Sequence, residues 1–264
     1  MTISFKDKVV IVTGSGGGLG RSHALQFAER GAKLVINDLG GAVDGSGGSS
    51  EAADKVVKEI KDMGGEAISN GSSVTDKEGV QKLVDDTMSA FGRIDVLVNN
   101  AGSELNKSYQ DTSQDEWYKV IDTDLKGPWL MCKHFVPKMV DAGEGSVINI
   151  SSLNGLVGFP LSTAYGSAKG GLVVFTKDMA IELARSGVRI NCVCPGVIET
   201  EMMERWTDLM PDKDEAKNML RGVMPINRMG SADEVAGAIL FFASSDSSLC
   251  QGSILTCDGG FTAQ

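Results

Sequence analysis

The chain has 264 residues, 42 % hydrophobic and 23 % charged, a composition that suits one folded domain or at most two. Its formal charge of −10 argues against nucleic acid or an anionic membrane as a partner. There is no apolar run near the roughly 18 residues of a membrane span, no signal-peptide pattern, five irregularly spaced cysteines and only two histidines. A reduced, cytoplasmic protein with neither a disulfide framework nor a transition-metal site is therefore expected.

Short apolar runs alternate with helical patterns. Strands are predicted at 8–13, 33–38, 66–70, 95–100, 146–151, 188–194 and 253–257, and helices at 19–30, 50–63, 76–91, 114–141, 163–186 and 231–243. Several strands are apolar throughout, as suits burial on both faces. Repeated β-α alternation predicts a parallel sheet with right-handed crossovers and helices on both faces. No repeat or linker divides the pattern, so residues 1–264 read as a single α/β domain.

Two segments break the rhythm. Residues 39–50, "LGGAVDGSGGSS", read as a flexible Gly/Ser-rich insertion. Residues 197–229 carry six methionines and Trp206 among many charges and read as a mobile substrate lid with few fixed backbone pairings. Methionine fills irregular apolar gaps, so ordinary packing is one reading of these residues and an adaptable apolar pocket the other.

"VTGSGGGLGRS" (12–22) ends the first strand and opens the first helix. Glycines there permit a tight turn, and the helix N-terminus offers free N–H groups to a pyrophosphate. Gly14, Gly17, Gly18 and Leu19 are the candidate contacts. "VIND" ends the second strand with Asp38, placed to bond the adenosine ribose hydroxyls. Residues 14–20 contain no basic residue, and the next one after Asp38 is Lys55. That pattern points to NAD rather than NADP. "AYGSAKGG" (164–171) puts Tyr165 and Lys169 four apart, one turn of a helix. A lysine there favours the phenolate; taken alone, the segment also reads as an ordinary helix start. His23 and His134 read as structural.

"TGSGGGLG" (13–20), "NNAG" (99–102), "INISS" (148–152), "YGSAK" (165–169) and "PGVIET" (195–200) occur in that order and span essentially the whole chain. Together they resemble the short-chain dehydrogenase/reductase family. The resemblance implies a Rossmann-type doubly wound sheet of about seven strands, a nicotinamide cofactor, and a homotetramer or homodimer. It implies that Tyr165 is the catalytic acid/base, that Lys169 lowers its pKa and bonds the nicotinamide ribose, and that Ser152 polarises the substrate oxygen. It further implies that Asn100 and Gly102 form a cofactor-supporting turn, that Val74 contacts adenine through its backbone, and that Ile198 and Thr200 contact the carboxamide and pyrophosphate side.

Two departures stand out. Asp124 replaces the family's usual asparagine in "DTDLKG" and is expected to keep its place in a proton relay. Ser73 stands where the family often has aspartate. "NDLGG" with "AADKVVKEI" is locally similar to the dehydrogenase domain of peroxisomal multifunctional β-oxidation enzymes, which act on (3R)-hydroxyacyl-CoA.

The expected activity is NAD-dependent interconversion of a secondary alcohol and a ketone, on an apolar cyclic or long-chain substrate. One alternative is a 3-hydroxyacyl-CoA dehydrogenase or 3-oxoacyl reductase, for which Arg205, Arg221 and Arg228 offer cations crowded by acids. The other is a catalytically silent nucleotide sensor, for which an intact Ser152, Tyr165 and Lys169 has no use.

Overall fold

The structure, a computed structural model, describes residues 3–40, 51–208 and 210–264. The Gly/Ser-rich stretch 41–50 and the side chains of Met202, Arg205 and Trp206 lie outside the described residues.

The strands are β1 (Val9–Thr13), β2 (Lys33–Asn37), β3 (Glu66–Asn70), β4 (Val96–Asn99), β5 (Gly145–Ile150), β6 (Val188–Pro195) and β7 (Ile254–Cys257). They form a seven-stranded parallel sheet in the order β3-β2-β1-β4-β5-β6-β7, a Rossmann-type α/β fold. Every strand boundary lies within one residue of its sequence expectation. The direction of winding reverses between β1 and β4, so the loops after these strands part and leave a crevice at the C-terminal edge of the sheet.

The helices are α1 (Gly18–Ala28), α2 (Glu51–Asp62), α3 (Lys77–Phe91), α4 (Gln114–Ile121), α5 (Gly127–Ala142), α6 (Thr163–Glu182), α7 (Glu201–Asp208), α8 (Lys213–Gly222) and α9 (Ala232–Ala243). Successive β1 side chains point to opposite faces. Val10 and Val12 pack with Phe27, Ile60 and Ile239 of α1, α2 and α9. Val9 and Ile11 pack with Leu83, Phe135 and Met139 of α3 and α5. This explains why the first four residues of β1, Val9 to Val12, are all apolar. Each such side chain contributes about 1.5–3 kcal/mol on burial.

Two expectations need correction. The pattern 114–141 is not one helix: a π-helical turn, Asp122–Lys126, separates α4 from α5. Residues 197–229 do hold fixed backbone structure, namely α7 and α8. The face formed by Ala216, Leu220 and Met224 is buried at helical spacing, and Asp212 caps α8 by accepting from Glu215 N at 2.9 Å. Among the described residues no helix is long and apolar enough to cross a membrane.

Candidate active site

The parallel sheet delivers the loops after β1, β2, β4, β5 and β6 to one edge, and nearly every residue singled out in the sequence follows one of these strands. After β1, Gly14 adopts φ +61°, and a Cβ on it would stand 2.8 Å from Ala101 Cα. A Cβ on Gly20 would stand 2.2 Å from the Gly14 carbonyl oxygen, so only glycine fits at either place. Asn100 braces the turn, its Nδ2 donating to the carbonyls of Thr13 and Gly14 at 2.9 Å each. Gly17 caps α1 without a side-chain hydrogen bond, and nothing approaches a Cβ on Gly18 within 4 Å. The result is a glycine-lined turn, a cradle at the positive end of a helix, which fits a dinucleotide pyrophosphate.

Asp38, just beyond β2, turns toward this cradle. Its Oδ2 accepts from Gly16 N at 2.7 Å and its Oδ1 from Gly40 N at 2.8 Å. Val74 is buried against Gly127, where a Cβ would come within 3.0 Å of it. The Ser73 hydroxyl pairs with that of Thr75 at 2.9 Å. Ile198 is buried and bridges to Gly230. Thr200 Oγ1 accepts from Met203 N at 3.4 Å at the start of α7. Leu19 packs against the core layer containing α1 and α9 rather than standing free in the turn.

Ser152, Tyr165, Lys169 and Asp124 come together between β5, α6 and the π-turn. Ser152 Oγ accepts from Asn154 N at 3.2 Å, and the Ser152 hydroxyl acts on Tyr165 in the direction of the phenolate. Lys169 is buried; its Nζ donates to Ile150 O at 2.9 Å and lies 5.5 Å from the Tyr165 ring centroid. Gly155 makes this closeness possible, because a Cβ there would be 2.8 Å from Lys169 O.

Asp124 is fully buried. In the π-turn Gly127 N donates to Asp122 O, five residues back, and such a wide turn presents its side chains at angles an α-helix does not. Asp124 Oδ1 accepts from Ser103 N at 2.7 Å and from Ser103 Oγ at 3.2 Å. Its Oδ2 lies 3.2 Å from Lys169 Nζ, an ion pair without an aligned hydrogen bond. Gly102 lies against this pair: a Cβ there would stand 3.1 Å from Asp124 Oδ2.

Burial pushes the Asp124 carboxyl up in pKa against the pull of Lys169. For Lys169 burial acts downward and is the largest single effect, but the negative charge of Asp124 together with Tyr165 outweighs it, and the net direction is up. The contacts favour the charged pair: two Ser103 donors and an ammonium face Asp124, and a carboxylate satisfies them where a neutral acid does not.

Tyr165 departs from expectation. Lys169 does pull its pKa down, but burial of the hydroxyl end dominates, and the charges of Asp124 and Glu104 add to it. The net direction is up. Glu104 is the residue that sequence reasoning missed. A glutamate in a loop reads as a solvated charge, and the available signal was its place between "NNAG" and the apolar Leu105.

His23 is buried in α1 with both ring nitrogens unpartnered, and burial pushes its pKa down to about 3. His134 Nδ1 pairs with Gln81 Oε1 at 2.9 Å. A cavity of about 590 Å³, lined by Ile198, Met224, Ile226, Arg228 and Asp258, meets the site only at Ile198. Neither Ser152 nor Tyr165 lines that cavity.

Residues 14–262 match the family model described as Enoyl-(Acyl carrier protein) reductase. The chain belongs to the short-chain dehydrogenase/reductase family. Among other members, the 3-oxoacyl-[acyl-carrier-protein] reductase FabG of Thermotoga maritima is 36 % identical over 96 % of this chain and 97 % of its own. The cis-4-hydroxycyclohexanecarboxylate dehydrogenase of Sinomonas cyclohexanicum is 37 % identical over 98 % of both. The crystal structure of levodione reductase superposes with a TM-score of 0.91 at 33 % identity, covering 98 % of this chain and 99 % of that one. This short-chain dehydrogenase/reductase is thus a secondary alcohol/ketone oxidoreductase, of a family that uses NAD(P).

Proposed function

We propose that the enzyme is an NAD(H)-dependent dehydrogenase of apolar, cyclic or long-chain secondary alcohols. The observation that carries this reading is the convergence of Ser152, Tyr165 and Lys169 beside the open glycine cradle. When bound there, the nicotinamide supplies the hydride and, in its oxidised form, a positive charge near Tyr165.

Gly14, Gly17 and Gly18 cradle the pyrophosphate, Asp38 takes the ribose hydroxyls and repels a 2′-phosphate, and Asn100 and Gly102 support the turn beneath. Val74, Ile198 and Thr200 flank the adenine, carboxamide and pyrophosphate in turn. Reduction of a carbonyl builds negative charge on oxygen, and Ser152 and Tyr165 are placed to hydrogen-bond it. Tyr165 then gives its proton; in oxidation it removes one. Lys169 favours the phenolate, and Asp124 holds Lys169 in place. The exposed apolar residues Leu156, Val157, Phe159 and Leu161, between Ser152 and Tyr165 in the chain, support an apolar substrate.

The acyl-thioester reading finds less support. Arg228 is engaged by Glu234, and Lys213 and Lys217 by Glu204, so these cations near the lid are already matched. We further propose that residues 197–229 act as a lid, that the enzyme is cytoplasmic, and that it assembles as a homotetramer or homodimer. Trp129, Val174 and Ile181 are exposed on α5 and α6, apolar surface of the kind that assembly covers.

A panel of cyclic and long-chain secondary alcohols, assayed with NAD and with NADP by absorbance of the reduced cofactor, tests this reading. Turnover with higher kcat/KM for NAD is expected. NADP preference would mean that Asp38 does not meet the ribose, and no turnover across the panel would overturn the proposal.

A further inference from the structure

Among the described residues, both aligned hydrogen bonds that the Asp124 carboxyl accepts come from one residue, Ser103. Its N–H lies 2.7 Å from Asp124 Oδ1, and its hydroxyl lies 3.2 Å from the same atom. Oδ2 accepts no hydrogen bond and faces Lys169 Nζ at 3.2 Å. Lys169 Nζ also donates to Ile150 O at 2.9 Å and lies 5.5 Å from the Tyr165 ring centroid. A line of contacts thus runs from Ser103 through Asp124 to Lys169 and Tyr165.

Ser103 is itself held. It is buried in the loop after β4. Leu105, two residues on, packs into the cluster of Val120, Ala164 and Ala168, and Lys107 N donates to Leu161 O at 2.8 Å. The backbone N–H alone would leave the Asp124 carboxyl free to turn about one contact. The hydroxyl, a second donor from another direction, fixes the carboxyl plane and with it the side that Oδ2 faces. Each donor favours the ionised acid, and an ionised acid favours the neighbouring ammonium. The other titratable groups around the pair are Tyr165 on α6, Cys192 and Cys194 on β6, and Glu104 next to Ser103 in the chain. Among the described residues none of these donates a hydrogen bond to Asp124.

We propose that the Ser103 hydroxyl is a positioning group for the reaction: it locks the Asp124 carboxylate with Oδ2 against Lys169 Nζ, and so keeps the ammonium charged beside Tyr165. This rests on the secondary alcohol/ketone reading above.

The test is the pH profile of kcat/KM for oxidation of a cyclic secondary alcohol with NAD, whose alkaline limb reports loss of the Lys169 proton. Ser103→Ala should move that limb to lower pH by roughly half a unit or more, because hydrogen bonds to charged groups are the stronger ones. Ser103→Cys, close in shape but a weaker donor, should move it the same way by less, and it carries the test if the alanine variant does not fold. Ser103→Thr keeps a hydroxyl and should restore the wild-type limb. In an Asp124→Asn background, Ser103→Ala should add no further shift. A limb that stays in place in both Ser103→Ala and Ser103→Cys, with or without a loss of kcat across all pH values, would overturn the inference and leave the alcohol dehydrogenase reading intact. So would an equal shift in the Asp124→Asn background. Failure of the wild-type enzyme to oxidise any of a panel of secondary alcohols would overturn that reading and this inference with it.

Discussion

Asp124 Oδ2 lies 3.2 Å from Lys169 Nζ, and both side chains are buried. This ion pair replaces the asparagine–lysine arrangement to which the family resemblance points, and it gives the site a pH dependence of its own.

Replacing Asp124 with Asn removes a charge that raises the Tyr165 pKa. The acidic limb of kcat/KM for alcohol oxidation should move to lower pH by roughly one unit, the worth of a nearby unit charge at intermediate dielectric. A limb that stays in place would mean that Asp124 is protonated in the working enzyme. Stability should change as well. Lys169 has a raised pKa in the folded state, so its contribution is present below its unfolded pKa and is lost as pH rises through the folded value. Thermal melts of the wild type should therefore fall off at alkaline pH more steeply than those of Asp124→Asn.

Tyr165→Phe keeps the ring and removes the transferable proton. Turnover should drop by roughly 10²–10⁴-fold, the usual size of an acid/base contribution, while cofactor affinity measured by fluorescence titration changes little. Near-normal turnover would remove Tyr165 from the mechanism.

His23 links stability to acid. Its folded pKa is pushed down to about 3, below the unfolded value of about 6.5. The unfolded chain therefore binds the extra proton between these values, and stability is lost as pH falls through that window. His23→Leu, which cannot protonate, should shift the acid-unfolding midpoint to lower pH in circular dichroism titrations. An unchanged or higher midpoint would show that acid unfolding is driven elsewhere.

Residues 197–229 should slow in amide exchange when cofactor and substrate are added together. Glu201 Oε2 comes to 3.7 Å from the place a Cβ on Gly17 would occupy, so α7 reaches over the glycine cradle. Equal exchange in both states would make the segment a static wall.

Much of this was legible in the sequence because it follows from simple rules. The central strands β1 and β4 are nearly continuous Val/Ile/Leu runs, and the glycines at 14 and 20 stand where no Cβ fits. The π-turn at Asp122–Lys126 was not legible, because a shift from four-residue to five-residue hydrogen bonding leaves the apolar period almost unchanged. The helices α7 and α8 were hidden by their charges. The apolar stripe of Ala216, Leu220 and Met224 is narrow, and much of the helix surface is ion pairs such as Lys217 with Glu204. The direction of the Tyr165 shift depends on burial and on Asp124 and Glu104, charges that lie in loops and turns far from Tyr165 in the chain.

The most direct test of the central claim, hydride exchange carried out by Ser152, Tyr165 and Lys169, is isotope transfer. A cyclic secondary alcohol deuterated at the carbinol carbon is incubated with enzyme and NAD, and the reduced cofactor is analysed by mass spectrometry. The account predicts one deuterium in the reduced nicotinamide with the wild-type enzyme, and transfer slowed by at least about 10²-fold in Tyr165→Phe. Reduced cofactor without deuterium, or equal transfer by both proteins, would contradict it.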